Sequence, residues 1–173
     1  MTTIPTALPT GEWVLDPTRT TASFAVRNGP GTVHGTVPVT AGAVRVDGAG
    51  VRVEAELDLS ALDTGNPRRD RDLGKPGLLD LDRHPRLRFV ADDVRGTDGG
   101  WVLVGTLSVR GREVPVTLTV ADADRPDLLD AGDATAVGTT RLDRRDLGVR
   151  APRVLIGRWI EVTVRAVLVR EPG

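Results

Sequence analysis

The stretch Val51–Leu59 alternates without a break: Val51, Val53, Ala55, Leu57 and Leu59 on one side, Arg52, Glu54, Glu56 and Asp58 on the other. Successive side chains of an extended chain point to opposite faces, so this pattern predicts a strand with one buried face. The same period recurs in Trp101, Leu103, Gly105, Leu107 and Val109, and in Val114, Val116, Leu118 and Val120 with Thr117 and Thr119 opposed. It recurs again in Ile160, Val162, Val164, Ala166 and Leu168, with Glu161, Thr163 and Arg165 opposed. Weaker strands are expected over 13–15, 21–26, 33–39, 43–46, 87–94 and 134–142. Asp47-Gly48-Ala49-Gly50, Asp98-Gly99-Gly100 and Arg110-Gly111-Arg112 read as hairpin turns, because glycine accepts positive φ at little cost. Many strands joined by short turns imply an all-β meander, closed on itself or packed as a sandwich.

Two segments break the rhythm. Residues 66–83 are dense in charge and carry Pro67 and Pro76, which predicts a loop with one or two short helical turns around 69–73 and 77–81. Leu78, Leu79 and Leu81 are expected to plug one end of the sheet structure. Residues 122–133 read as an exposed acidic connection. With neither a boundary nor a repeat, the reading is one domain over 11–170 behind a loose tail, 1–10.

Composition removes several classes of function. The formal net charge of −1 argues against a general grip on nucleic acid, which needs a basic face. With no tyrosine and two phenylalanines, base-stacking platforms are also scarce. The absence of cysteine removes disulfides, thiolate catalysis and cysteine metal sites. The two histidines, His34 and His84, are too few for an ordinary zinc site and read as surface or loop-packing residues. Asp122, Asp124, Asp127, Asp130 and Asp133 lack the central glycine and closing glutamate of a calcium loop. Gly29, Gly31 and Gly35 have no helix after them, so they are not a nucleotide fingerprint. No nucleophile elbow or Ser/His/Asp set is present, and Trp13, Trp101 and Trp159 are expected in the core or at barrel ends. No catalytic residue, metal or cofactor is therefore assigned. Lys75 is the only lysine among many arginines, a bias that reads as genome composition. The N-terminal MTTIPTALPT has neither a positive cluster nor an apolar run, and no stretch is long and apolar enough for a membrane span. The expectation is a soluble, cytoplasmic protein.

Ordered blocks along the chain resemble one family. Trp13-Val14-Leu15-Asp16-Pro17 precedes Ser23-Phe24-Ala25-Val26; Leu62-Asp63-Thr64-Gly65-Asn66-Pro67-Arg68-Arg69-Asp70 precedes His84-Pro85 and Leu87-Arg88-Phe89. Gly105-Thr106-Leu107-Ser108-Val109-Arg110-Gly111 with Val114-Pro115-Val116, and then Arg144-Arg145-Asp146-Leu147-Gly148-Val149, complete the series. Together they resemble the YceI-like family over about residues 11–170. The resemblance implies an eight-stranded antiparallel lipocalin-like β-barrel with a short helical segment near residues 68–82. It also implies binding of a polyisoprenoid or similar long-chain lipid, often by a homodimer. The chain departs from the family pattern in three places. Leu78-Leu79 replaces an aromatic pair, Leu147 replaces an aromatic, and Arg19 or Thr20 stands where the family has histidine.

On that reading the ligand is a long-chain apolar molecule of isoprenoid, quinone or fatty-amide type. Its lining is expected from Phe24, Val26, Leu57, Leu59, Phe89, Leu103, Leu107, Leu118, Val162 and Val164, with small Ala22, Gly35, Ala55, Gly105 and Ala166 leaving room. A polar rim is expected from Asn66, Arg69, Asp70, Arg144 and Asp146, where an arginine fork would hold a polar head. The bland alternative is that Arg69–Asp70 and Arg144–Asp146 cross-pair and tie the irregular segment to the rim. Two other functions stay open: an enzyme using Asp70 or Asp146 as acid or base on an isoprenoid-like substrate, and a filled barrel acting through its surface. A charged residue in place of Leu107 or Leu118 is expected to abolish lipid binding or folding. Unchanged lipid uptake by such a folded variant would remove those residues from the lining.

Overall fold

The structure is a computed structural model that describes residues 11–48, 50–97, 99–121, 133–149 and 157–170. The expected tail, 1–10, and most of the acidic connection, 122–132, lie outside the described residues.

Ten strands follow one another: β1 (Gly11–Leu15), β2 (Thr21–Asn28), β3 (Gly31–Val37), β4 (Val39–Asp47), β5 (Gly50–Asp58), β6 (Arg86–Thr97), β7 (Gly100–Val109), β8 (Arg112–Ala121), β9 (Asp133–Asp143) and β10 (Trp159–Arg170). All neighbours are antiparallel. The strands occupy eight positions, because β1 and β2 are two lengths of one stave and β3 and β4 two lengths of the next. β10 pairs with both lengths of the first stave, Leu15↔Leu168 in β1 and Ala22↔Val164 in β2. The other edge of that stave pairs with β4 and β3. From β4 the order runs β5-β6-β7-β8-β9-β10 and so returns to the start. The meander is a closed eight-position barrel, and the sandwich alternative falls.

Closure has to cross the jog at Asp16–Thr20. Asp16 folds it: its carboxylate accepts from the Thr18 N–H at 2.9 Å and from Arg19 Nε at 2.8 Å. The ladder to β10 nonetheless continues. The Asp16 N–H donates to the Val167 carbonyl at 2.8 Å, and the Val167 N–H donates to Thr20 Oγ1 at 3.1 Å. A buried hydroxyl thus replaces a backbone acceptor where the strand is interrupted.

Local chemistry sets the turns. Arg110 and Gly111 both have positive φ, 53° and 71°, as a two-residue type I′ hairpin requires. Pro38 separates β3 from β4, and its carbonyl accepts from the Asp58 N–H at 2.9 Å. Asn66 caps the one α-helix among the described residues, α1 (Pro67–Leu73), by accepting from the Arg69 N–H at 3.1 Å, with proline in the first turn. The second expected helical turn, 77–81, is instead a run of tight turns, with the Leu78 and Asp80 N–H groups both donating to the Lys75 carbonyl. Pro76 and Gly77 break the helical repeat there.

The buried residues of the interior fall into two clusters, and half-buried Val53 packs against both. One cluster lines the β6–β8 wall with Phe89, Ala91, Leu103, Leu107, Val114, Val116 and Val120, joined at one end by Leu59, Leu147 and Val149. Leu78, Leu79 and Leu81 pack on that cluster. A second cluster, Trp13, Leu15, Ala22, Val39, Val44, Ala134 and Leu168, lines the opposite wall. Glycine permits one close approach between neighbouring strands: a Cβ on Gly35 of β3 would lie 2.4 Å from the ring of Phe24, its registered partner on β2.

Thr20→Val removes the acceptor of the buried Val167 N–H and is expected to cost about 1–3 kcal/mol in urea unfolding, whereas Thr20→Ser retains most of the stability. Equal stability of the valine variant would show that the hydroxyl does not stitch the barrel.

Candidate functional site

The inward faces of the strands carry the expected lining. Phe24 and Val26 on β2 stand beside Val162 and Ile160 on β10, and Val164 stands beside Ala22 and Gly138. Ala55, Phe89 and Leu107 face inward in register on β5, β6 and β7, with Leu57 beside Leu87, and Leu103 faces Leu118 on β7 and β8. Leu59 lies just past β5, in a short 3-10 turn, Leu59–Ala61. Burial divides these residues. Leu59, Phe89, Leu103 and Leu107 are buried, while Phe24, Val26, Leu57, Leu118, Val162 and Val164 are only half-buried although they point into a closed barrel. Ala55, Ala136 and Ala166 on the same inner surface are half-buried too. Apolar side chains between the two clusters therefore face space that a molecule can fill.

The expected polar residues gather at one end of the barrel, in two separate knots. Asp70 accepts from the Thr64 N–H at 3.1 Å and from Thr64 Oγ1 at 2.5 Å. Arg69 donates from Nε to Thr64 Oγ1 and from Nη2 to the Thr64 carbonyl, both at 2.9 Å. Asn66, Arg69 and Asp70 thus fold their own turn around Thr64. Arg144 is 5% exposed and donates to the Gly157 carbonyl at 3.2 Å and the Val149 carbonyl at 3.1 Å. Asp146 is exposed, at the turn after β9. The anticipated cross-pairing of Arg69–Asp70 with Arg144–Asp146 does not occur: each group bonds within its own segment. The tie between the two segments is Arg110, which no sequence pattern singled out as a clamp. From the β7–β8 turn it donates Nη1 to the Gly148 carbonyl and Nη2 to the Pro76 carbonyl.

A second feature was not anticipated at all. Among the described residues β8 and β9 pair through Thr119↔Thr139, Val120↔Gly138 and Ala121↔Val137, and below Thr119 the ladder stops. The gap is a cleft of about 780 Å³. Val114, Val116, Leu142 and Leu147 form its inner side; Thr117, Thr139, Thr140, Arg141, Arg145, Arg158, Trp159 and Glu161 stand around it. Pro115 stands at the far end of the gap, where the register continued from Thr119↔Thr139 would set it opposite Asp143, the last residue of β9. N–H and C=O of one strand residue point to the same side and alternate along the strand. The Thr117 carbonyl accepts from Thr140 Oγ1 of β9 at 2.8 Å, so Pro115, two residues away, faces β9 as well and has no N–H to offer.

Trp159 corrects one expectation. It is 43% exposed rather than a core or end plug. Ile160 takes the inward position at the start of β10, which turns Trp159 outward, where Arg158 lies 4.6 Å and Arg141 5.6 Å from its ring centre. Asp143 holds the neighbouring cations: Arg158 Nε lies 2.9 Å and Arg145 Nη2 3.2 Å from its Oδ2. The Arg145 hydrogen bonds, chiefly, and that from Arg158 keep its carboxyl well below the usual carboxylate range. Glu161 pairs with Arg141 at 2.8 Å. Of the histidines, His34 is exposed and His84 packs over Gly111. Among the described residues no three His, Asp or Glu side chains gather as a metal site, and no helix is long and apolar enough to cross a membrane.

A family model described as YceI-like domain matches residues 13–168. Curated relatives include a UPF0312 protein of Yersinia enterocolitica, 29% identical over 67 residues, and one of Serratia proteamaculans, 27% identical over 67 residues. Each match covers 39% of this chain and 35% of the relative, so it spans only about a third of the relatives' length. Among solved structures, BcnA of Burkholderia cenocepacia superposes with a TM-score of 0.71 at 16% identity, over 88% of this chain and 98% of that one. A polyisoprenoid binding domain from Saccharophagus degradans gives 0.68 at 14% identity, over 92% and 98%. The YCEI protein of Campylobacter jejuni gives 0.56 at 15%, over 79% and 82%. At these identities the structural likeness establishes the fold.

The Asp143 clamp stabilises the fold fully above the ordinary carboxylate pKa, and its contribution is lost as pH falls through the lower folded value. Asp143→Asn is therefore expected to lower Tm near neutrality and to flatten the loss of Tm between about pH 4 and pH 2. Thermal melts across that range check it, and parallel curves for the two proteins would contradict it.

Proposed function

The chain belongs to the YceI-like domain family, and on that premise we propose that it is a non-enzymatic carrier or store for one long-chain apolar molecule held inside the barrel. The observation that carries this reading is the incompletely packed interior. Inward Phe24, Val26, Leu118, Val162 and Val164 are only half-buried although they line a closed barrel. The small inward residues Ala55, Ala136 and Ala166 add little bulk there. The Saccharophagus degradans domain, described as polyisoprenoid binding, supports the same class of ligand.

Energetics favour a long tail. Burying about 400 Å² of apolar surface contributes roughly 10 kcal/mol. That lies within the roughly 4–15 kcal/mol lost in translational and rotational freedom on association. Short tails therefore bind weakly, and affinity depends on length. The chemistry required is burial alone. Of the two carboxylates weighed as acid or base, Asp70 is engaged by the Thr64 N–H and hydroxyl, and Asp146 is exposed at the turn after β9.

In a homologous series of fatty amides or prenyl alcohols, affinity is expected to rise by about 0.8 kcal/mol for each added methylene until the lumen is full. Titration calorimetry reads this, and affinity independent of length would contradict interior binding. Ala136→Leu places a larger side chain in the lumen and is expected to weaken binding by roughly tenfold or more, with Tm little changed. The outward Thr119→Leu is expected to leave binding intact.

A further inference from the structure

We infer that the ligand enters and leaves sideways, through the parted β8–β9 seam, and that its exposed end is a neutral hydrogen-bonding group such as an amide, quinone carbonyl or alcohol. The inference rests on the carrier reading and specifies its route and head group. Three observations meet at this place. Among the described residues β8 and β9 pair only over 119–121, and their described lengths on the other side of Thr119, 112–118 and 140–143, carry no registered pair. The cleft is lined by outward Thr117 and Thr139 and also by inward-facing Val116 and Leu142, residues of both surfaces of the wall. The barrel end nearest the cleft is meanwhile closed, by Leu78, Leu79, Leu81 and Leu147 on the core and by Arg110 across the two irregular segments.

Pro115 cannot donate to β9, so a ladder continued down the seam would lack a bond where Pro115 meets Asp143. Backbone groups on the parted edges must then find partners outside the sheet, in water or in a ligand. They offer hydrogen bonds without net charge. The ionic side chains of the cleft balance, with Arg141, Arg145 and Arg158 against Asp143, Asp146 and Glu161. Asp143 already engages Arg145 and Arg158, and Glu161 engages Arg141. A phosphate here would have to displace a carboxylate from its arginine and lose its own hydration. An amide, carbonyl or hydroxyl would use the backbone edges and the Thr117, Thr139 and Thr140 hydroxyls.

The chain has no cysteine, so Thr117→Cys with Asp146→Cys supplies a unique pair on the walls of the cleft. A reducible bis-maleimide joins them, and mass spectrometry verifies the bridge. The probe is dansyl-octadecylamine, a neutral long-chain molecule whose emission is excited through tryptophan. Exchange of bound probe is expected to slow about tenfold or more in the bridged protein and to recover on reduction. In the unmodified protein, geranylgeraniol is expected to displace the probe at about a tenth of the concentration that geranylgeranyl phosphate needs. Unchanged exchange after bridging would overturn the sideways route, and tighter binding of the phosphate would overturn the neutral head. Failure of the unmodified protein to bind the probe or either competitor would overturn the carrier reading itself, a result separable from the other two.

Discussion

The barrel exists because its first and last strands meet. β1 and β2 lie against β10 across nearly the whole length of the chain, and this pairing converts a row of hairpins into a closed wall. The entropy lost in joining such distant segments must be recovered along the seam. A jog of five residues interrupts it. There the Thr20 hydroxyl accepts the Val167 N–H, and Asp16 both folds the jog and donates its own N–H to the Val167 carbonyl. Without closure, both edge strands would present unpaired backbone and the interior would open to water.

Closure also decides what the interior is. Eight positions enclose a lumen that large side chains can fill and small ones leave open. This chain fills the two walls and keeps alanine and glycine on parts of β5, β9 and β10 between them. The β8–β9 seam, two interfaces away, pairs differently. The ladder stops at Thr119, and a cleft lies beside three arginines whose charges are locally balanced. The same molecule thus has a stitched seam that holds the barrel and a seam whose ladder is interrupted.

Much of this was legible in the amino-acid order. Period-2 alternation located every strand, because burial of one face writes itself residue by residue, as in Val51–Leu59. It also put Phe24, Leu107, Leu118 and Val162 on a common inner surface. The polar residues were harder to read, since their roles depend on segments distant in the chain or on local folding that a motif does not spell out. Asn66, Arg69 and Asp70 look like a binding motif, yet their side chains fold the turn around Thr64. The burial of Arg144 follows from the return of the chain at Gly157 and Val149. The consequence of Pro115 emerges only once β9 is known to be its neighbour, and Trp159 turned outward because Ile160 takes the inward place.

The central claim is that the space between the two walls holds a molecule. Native mass spectrometry of the purified protein, followed by organic extraction, tests it most directly. The account predicts a long-chain lipid bound one per barrel, retained through gentle desalting and released on denaturation. A bare protein mass, with no uptake from offered prenyl alcohols, quinones and fatty amides, would contradict it and leave the barrel a scaffold for its outer surface.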